Sequence, residues 1–139
     1  MKPMVEVKNL HKHYQLGETL VKANNGIDLE IEKGEFIAIF GPSGCGKSTL
    51  MHLIGLLDSP TKGEVIFKGR ETAKLSDDEK TIIRNKNIGF VFQFFFLSPN
   101  LNALENVKLP MIFSEKEEAE RDKRAKELLK LVGLEDRMT

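Results

Sequence analysis

The chain holds a single cysteine, Cys45, which excludes an internal disulfide and suits a reducing compartment. It has no surplus of either charge, because 21 basic and 21 acidic residues cancel. A nucleic-acid binder neutralises phosphates with a basic excess, so this balance weighs against that class. No long hydrophobic run is present. The most apolar stretch, residues 88–97, is broken by Gln93 and falls far short of the roughly 20 residues that cross a bilayer. The opening "MKPMVEVKNLHKHY" alternates polar and apolar residues and lacks an apolar signal core. Internal repeats and low-complexity segments are also missing. What is left, 139 residues of which 40% are hydrophobic and 30% charged, predicts an ordinary globular chain with room for one domain that does not span a membrane.

Hydrophobic patterning divides this chain. Val5 and Val7 alternate with Glu6 and Lys8, which predicts a strand with one wet face over residues 4–10. Asn25-Gly26 signals a turn, after which Ile27, Leu29 and Ile31 alternate with Asp28, Glu30 and Glu32. Residues 36–40 and 88–92 are continuous apolar runs, expected of strands buried on both faces. Leu50, Leu53, Ile54 and Leu57 make one helical stripe, and Gly63 opens a further strand over residues 64–67. Ser76 with Glu79, Asn102 with Glu105 and Ser114 with Glu117 have capping spacing and predict three helix starts. Pro110 disrupts the second of these helices. The third carries Ala125, Leu128, Leu129 and Val132 and stops at Gly133, with its many charges on a solvated face. The composition turns from α/β to helical near Gln93, which predicts a division into residues 1–92 and 93–139.

The most informative stretch is "GPSGCGKS", residues 41–48, which matches G-x-x-x-x-G-K-[ST] at every fixed position. The expected context is present: an apolar run before it and an amphipathic helix after it. Glycines at 41, 44 and 46 let the backbone curl so that successive N–H groups point inward at a helix N-terminus. Lys47 supplies a point charge to the β- and γ-phosphates of a nucleotide, and the Ser48 hydroxyl can ligate Mg²⁺. Cys45 lies inside the loop, where a helix N-terminus can activate a thiol. The loop is explained without thiol chemistry.

From these residues outward the chain resembles the ATP-binding subunit of ABC transporters. "HKHYQLG" places Tyr14 where that family carries the aromatic that stacks on adenine; a strand-end core ring is the alternative reading. "GPSGCGKSTLMHLIGLLDSPTKGEVIFKG" looks like the family's phosphate loop, its Walker A motif, and the strand after it. The resemblance implies that Gly41, Pro42, Ser43, Gly44, Cys45, Gly46, Lys47, Ser48 and Thr49 hold the phosphates of ATP. "IGFVFQ" is similar to the family's strand and Q-loop glutamine, which implies that Gln93 reaches Mg²⁺ and the attacking water, with Lys47 as the other catalytic residue. "LSPNLNALENVKLP" is similar to the lipoprotein-release and macrolide-export branch. Phe94 departs from the second glutamine or polar residue more usual after Gln93. Phe94, Phe95 and Phe96 either pack between subdomains or line a groove for a partner's helix.

The implied fold is α/β: a P-loop NTPase with a RecA-like core, an antiparallel β subdomain and the start of a helical subdomain. The implied cofactors are ATP and Mg²⁺. The implied partners are a second ATP-binding subunit and an integral membrane permease, at the cytoplasmic face of the membrane. Three further parts of that family are not found. The only Asp-Glu pair, Asp78-Glu79, belongs to a capping sequence rather than to an apolar strand; all three histidines, His11, His13 and His52, precede Leu53; and no signature glycine pair occurs. The chain therefore reads as the N-terminal half of such a subunit, expected to bind nucleotide without turning it over and to lack a stable monomeric form. A soluble ATPase of the same type acting on ribosomes or DNA, a nucleotide kinase or GTPase, and a non-catalytic nucleotide-binding half-module are the rival readings.

Overall fold

The alternation that begins at Val5 does not stop at Leu10. In the computed structural model, which describes residues 2–113 and 116–138, strand β1 runs Val5–Leu16, turns at Gly17 and Glu18, and returns antiparallel as β2, Thr19–Ile31. The second half of this hairpin is longer than patterning predicts because "HKHYQL" buries none of its residues. It is held by its ladder with residues 19–25 rather than by burial.

Asn25-Gly26 is not a turn. It lies inside β2, where Leu10 pairs with Ile27 and His11 with Asn25, so Gly26 is the extra residue of a β-bulge at φ 77. Positive φ is the backbone state that favours this dipeptide in turns, and a bulge uses it equally well. A bulge on β1 places Lys8 and Asn9 opposite Asp28, whose carboxylate accepts the Asn9 N–H at 2.8 Å. The extra residue shifts the phase, so Leu10 joins Val5 and Val7 among the buried side chains.

Strand β3, Lys62–Phe67, pairs with the other edge of β1, Val5 opposite Phe67 and Val7 opposite Val65. A short β4, Arg70–Glu71, completes an antiparallel sheet of order β2-β1-β3-β4. Helix α1, Lys47–Ile54, packs on β1 and β2 and buries Leu50 and Leu53. Fully burying a side chain of this size is worth about 1.5–3 kcal/mol, and this sheet-to-helix layer is the core. The expected stripe fails at its end. The chain leaves the helix at Gly55 and reverses through Leu56 at φ 59, so Leu56 is buried in place of Leu57, which is exposed. Helix α2, Asp77–Asn87, opens with the predicted reciprocal box: the Glu79 N–H donates to Ser76 Oγ at 3.2 Å and the Ser76 N–H to Glu79 Oε2 at 3.0 Å.

The chain divides into two compact units, residues 1–84 and 85–139. In the second unit, α3, Ala103–Lys108, begins with a full capping box between Asn102 and Glu105 and gives way to a 3-10 turn over Leu109–Phe113. Helix α4, Glu118–Leu131, has Glu117 at its N-cap; the cap expected from Ser114 lies outside the described residues. Ala125 and Leu129 are buried, whereas Val132, past the helix end, is exposed. The Lys108 ammonium and the Asp122 carboxylate pair between α3 and α4.

Two expected strands are corrected. Residues 36–40 and 88–92 form no ladder among the described residues, and Phe36, Phe40 and Val91 are 94%, 90% and 99% exposed. An apolar run states that a segment is suited to burial. A strand also needs a neighbour to accept its backbone groups, and none of the described strands pairs with either segment.

Candidate phosphate-binding loop and its aromatic wall

Residues 41–48 connect the unpaired apolar segment to α1, and glycine makes the junction. Gly46 is the N-cap residue at φ 91, and a Cβ there would stand 2.0 Å from the Ala23 carbonyl oxygen of β2. That approach lets the loop press against the hairpin. The Asn24 side chain, 4% exposed, secures the same point by donating from Nδ2 to the Gly46 carbonyl at 3.2 Å. The Gly46 carbonyl also accepts the Leu50 N–H at 2.9 Å, the first bond of the helix.

No side chain caps α1, and its first turn carries no acidic residue. Its leading N–H groups therefore present donors and the positive end of the helix dipole together. The Lys47 ammonium curls over the loop, donating to the Gly41 carbonyl at 2.9 Å and the Pro42 carbonyl at 2.7 Å, and lies 3.7 Å from Cys45 Sγ. Ser43, Gly44, Cys45 and Ser48 are exposed, and Thr49 is half-buried. No residue from 41 to 49 bears a carboxylate. An ammonium, main-chain N–H groups and the hydroxyls of Ser43, Ser48 and Thr49 make a donor set that suits an anion with several oxygens.

Tyr14 stands on β1 opposite Val21, with 37% of its surface exposed, so it is not a buried core ring. Its hydroxyl donates to Asp58 Oδ2 at 3.0 Å. Asp58 follows α1, and its other oxygen accepts the Lys12 ammonium at 2.7 Å and the Ser59 N–H at 2.7 Å. Lys12 sits two residues before Tyr14 on the same strand face, with its ammonium 5.0 Å from the ring centroid. Burial pushes the Tyr14 phenol up, and the hydrogen bond and charge of Asp58 add to that, while Lys12 and the Thr49 hydroxyl pull the other way. For Asp58 burial also pushes upward, but the donors from Lys12, Ser59 and Tyr14 together hold it below the usual carboxylate range.

The first unit holds both Tyr14 and residues 41–49, and the Thr49 hydroxyl is the loop group that acts on the phenol. Gln93 belongs to the second unit, exposed, in a segment outside helix and strand. Phe94, Phe95 and Phe96 are exposed as well; Phe96 makes an edge contact with Phe92 at 4.9 Å, and Phe92 stacks on Phe90 at 5.4 Å. Sequence reading missed Asp58, Lys12 and Asn24. The shared strand face of Lys12 and Tyr14 was legible from their spacing. Asp58, 44 positions after Tyr14, had no local signal that linked it to the ring.

A family profile described as ABC transporter matches residues 24–139. MJ1508 of Methanocaldococcus jannaschii, an uncharacterised ABC transporter ATP-binding protein, is 54% identical over 97% of this chain and 60% of its own length. The macrolide export ATP-binding/permease protein MacB of Bdellovibrio bacteriovorus is 51% identical over 97% of this chain and 20% of its own. A solved dimeric structure of the ATP-binding cassette MJ0796, in a post-hydrolysis state bound to ADP and Pi, superposes with a TM-score of 0.87 at 51% identity. That match covers 97% of this chain and 60% of the solved one, so the chain spans about three fifths of these two cassettes. With its loop, its hairpin and most of its length aligned in this way, the chain belongs to the ABC transporter family and matches the N-terminal portion of its ATP-binding subunits.

Proposed function

We propose that this chain binds ATP at residues 41–49 and is the nucleotide-gripping part of a subunit that hydrolyses ATP to drive transport. One observation carries the reading: the uncapped N-terminus of α1 lies under the Lys47 ammonium, with no carboxylate in the loop to compete for either. Gly41, Pro42, Ser43, Gly44, Cys45 and Gly46 offer backbone, Lys47 reaches the β- and γ-phosphates, and Ser48 and Thr49 add hydroxyls. The adenine stacks on Tyr14, whose exposed ring lies on the same unit.

Among the described residues no cluster of three or more His, Cys, Asp or Glu side chains stands ready for a metal. A hydroxyl at Ser48 and an amide at Gln93 are the neutral oxygen donors that suit Mg²⁺, which retains waters and takes phosphate oxygens. The bound ion would neutralise developing phosphate charge; Lys47 and Gln93 would hold phosphate and water in place. The functional division we propose is residues 1–92 for nucleotide binding and 93–139 for the Q-loop and the start of a helical subdomain.

Turnover requires a second ATP-binding subunit, a reading supported by the dimeric state of the MJ0796 cassette. A membrane permease is the other partner, supported by the combined ATP-binding/permease name of MacB. No described helix is long and apolar enough to cross a membrane, and we place the subunit on the cytoplasmic face beside that permease. Titration of the chain with ATP in the presence and absence of Mg²⁺ tests the proposal. Magnesium-dependent binding is expected, weakened at least about tenfold by Lys47→Ala, with no turnover above background from these residues alone. Unchanged affinity in Lys47→Ala would remove the loop from the function.

A further inference from the structure

We infer that Asp58 is a positioning residue for nucleotide: with Lys12 it locks the Tyr14 ring in one orientation and leaves a single ring face for the base. This inference rests on the reading of Tyr14 as the adenine wall. A tyrosine on a hairpin ladder turns about two side-chain bonds, and stacking a base on it requires that freedom to be lost. Here it is already lost. The hydroxyl is tied to Asp58 Oδ2 at 3.0 Å, and Asp58 is itself tied through Oδ1 to the Lys12 ammonium at 2.7 Å and the Ser59 N–H at 2.7 Å. Lys12 also donates to the Ser59 carbonyl at 2.8 Å, so the cation is anchored to the backbone that follows α1.

That backbone is continuous with the helix that begins at the phosphate loop. The tether therefore fixes the ring relative to Lys47 and Ser48 rather than to the hairpin alone. The Lys12 ammonium, 5.0 Å from the ring centroid, covers one face. A purine then stacks on the opposite face, against a ring already held in one orientation. Preorganisation of this kind raises affinity by removing an ordering cost at binding. Its benefit goes to the base and not to the phosphates.

The chain makes the test direct because Tyr14 is its only tyrosine and it has no tryptophan, so tyrosine absorbance and emission report this one ring. Asp58→Asn is expected to lower the alkaline titration midpoint of Tyr14 toward the ordinary value near about 10. It is expected to weaken ATP binding about threefold to tenfold while leaving inorganic tripolyphosphate binding unchanged. Lys12→Met should show the same split. Tyr14→Phe keeps the ring but loses the tether, so adding Asp58→Asn to it should cost nothing further for ATP. Equal weakening of ATP and tripolyphosphate by both Asp58→Asn and Lys12→Met would mean general damage and overturn the inference. So would unaltered ATP affinity in Asp58→Asn when Tyr14→Ala binds ATP poorly, a result that spares the stacking reading. If Tyr14→Ala itself leaves ATP binding intact relative to tripolyphosphate, the stacking reading falls and this inference with it.

Discussion

At Gly46 an added methyl would collide with the Ala23 carbonyl oxygen at 2.0 Å, and the backbone already stands in the left-handed region at φ 91. At Gly44, φ 79, the same methyl meets nothing within 4 Å. The two glycines of one motif are thus required for different reasons. Gly44→Ala is expected to cost about 1–2 kcal/mol, the conformational penalty alone. Gly46→Ala should cost about 3 kcal/mol or more, since strain adds to a clash with backbone that cannot swing aside. Urea unfolding of the two variants compares them; equal losses would show that the approach to β2 is not what selects glycine at position 46. The pattern of glycines, and Lys47 among them, was legible in the sequence because the motif is local. The pinning of Gly46 by Ala23 and Asn24 was not, because it joins residues 22 and more positions apart and depends on where β2 passes.

Among the elements, those controlled by short-range chemistry came out close to their prediction. The boxes at Ser76/Glu79 and Asn102/Glu105 both form reciprocal bonds, since donor and acceptor lie within one helical turn. In α3, Asn102 Oδ1 accepts the Glu105 N–H at 2.9 Å, and the Asn102 N–H donates to Glu105 Oε2 at 2.8 Å. The helix is only 6 residues long, so its cap is a large share of its stability. Asn102→Ala is expected to destabilise it by about 1 kcal/mol, read as faster amide exchange across residues 103–108 with α4 unaffected. Exchange rates unchanged in α3 would contradict this role of the cap. Elements that depend on pairing were less legible. Asn25-Gly26 satisfied a bulge instead of a turn, and β1 and β2 extended through polar residues because each had the other as a ladder partner. Residues 36–40 had the composition of a strand without a partner strand among the described residues.

For the molecule as a whole, the exposed segments set the behaviour in solution. Phe36 and Phe40 in the first unit, and Val91 with Phe94 and Phe95 in the second, present apolar surface and unladdered backbone that another copy can cover. The chain at micromolar concentration is expected to sediment as associated species, and Phe36→Lys with Val91→Lys to shift it toward monomer. A monomer that melts sharply and is unaffected by the lysines would refute this. By itself the sequence determined the candidate phosphate loop, the caps at Ser76/Glu79 and Asn102/Glu105, the apolar segments and the family, because each is written in residues close together or in a spacing that backbone geometry repeats. Only the tertiary structure decided that Leu10 and Leu56 are buried, that Asn24 and Ala23 grip Gly46, and that Asp58 holds Tyr14. Those outcomes depend on bulges, a chain reversal and strand register, which bring distant residues within hydrogen-bond reach and leave no periodic trace along the chain.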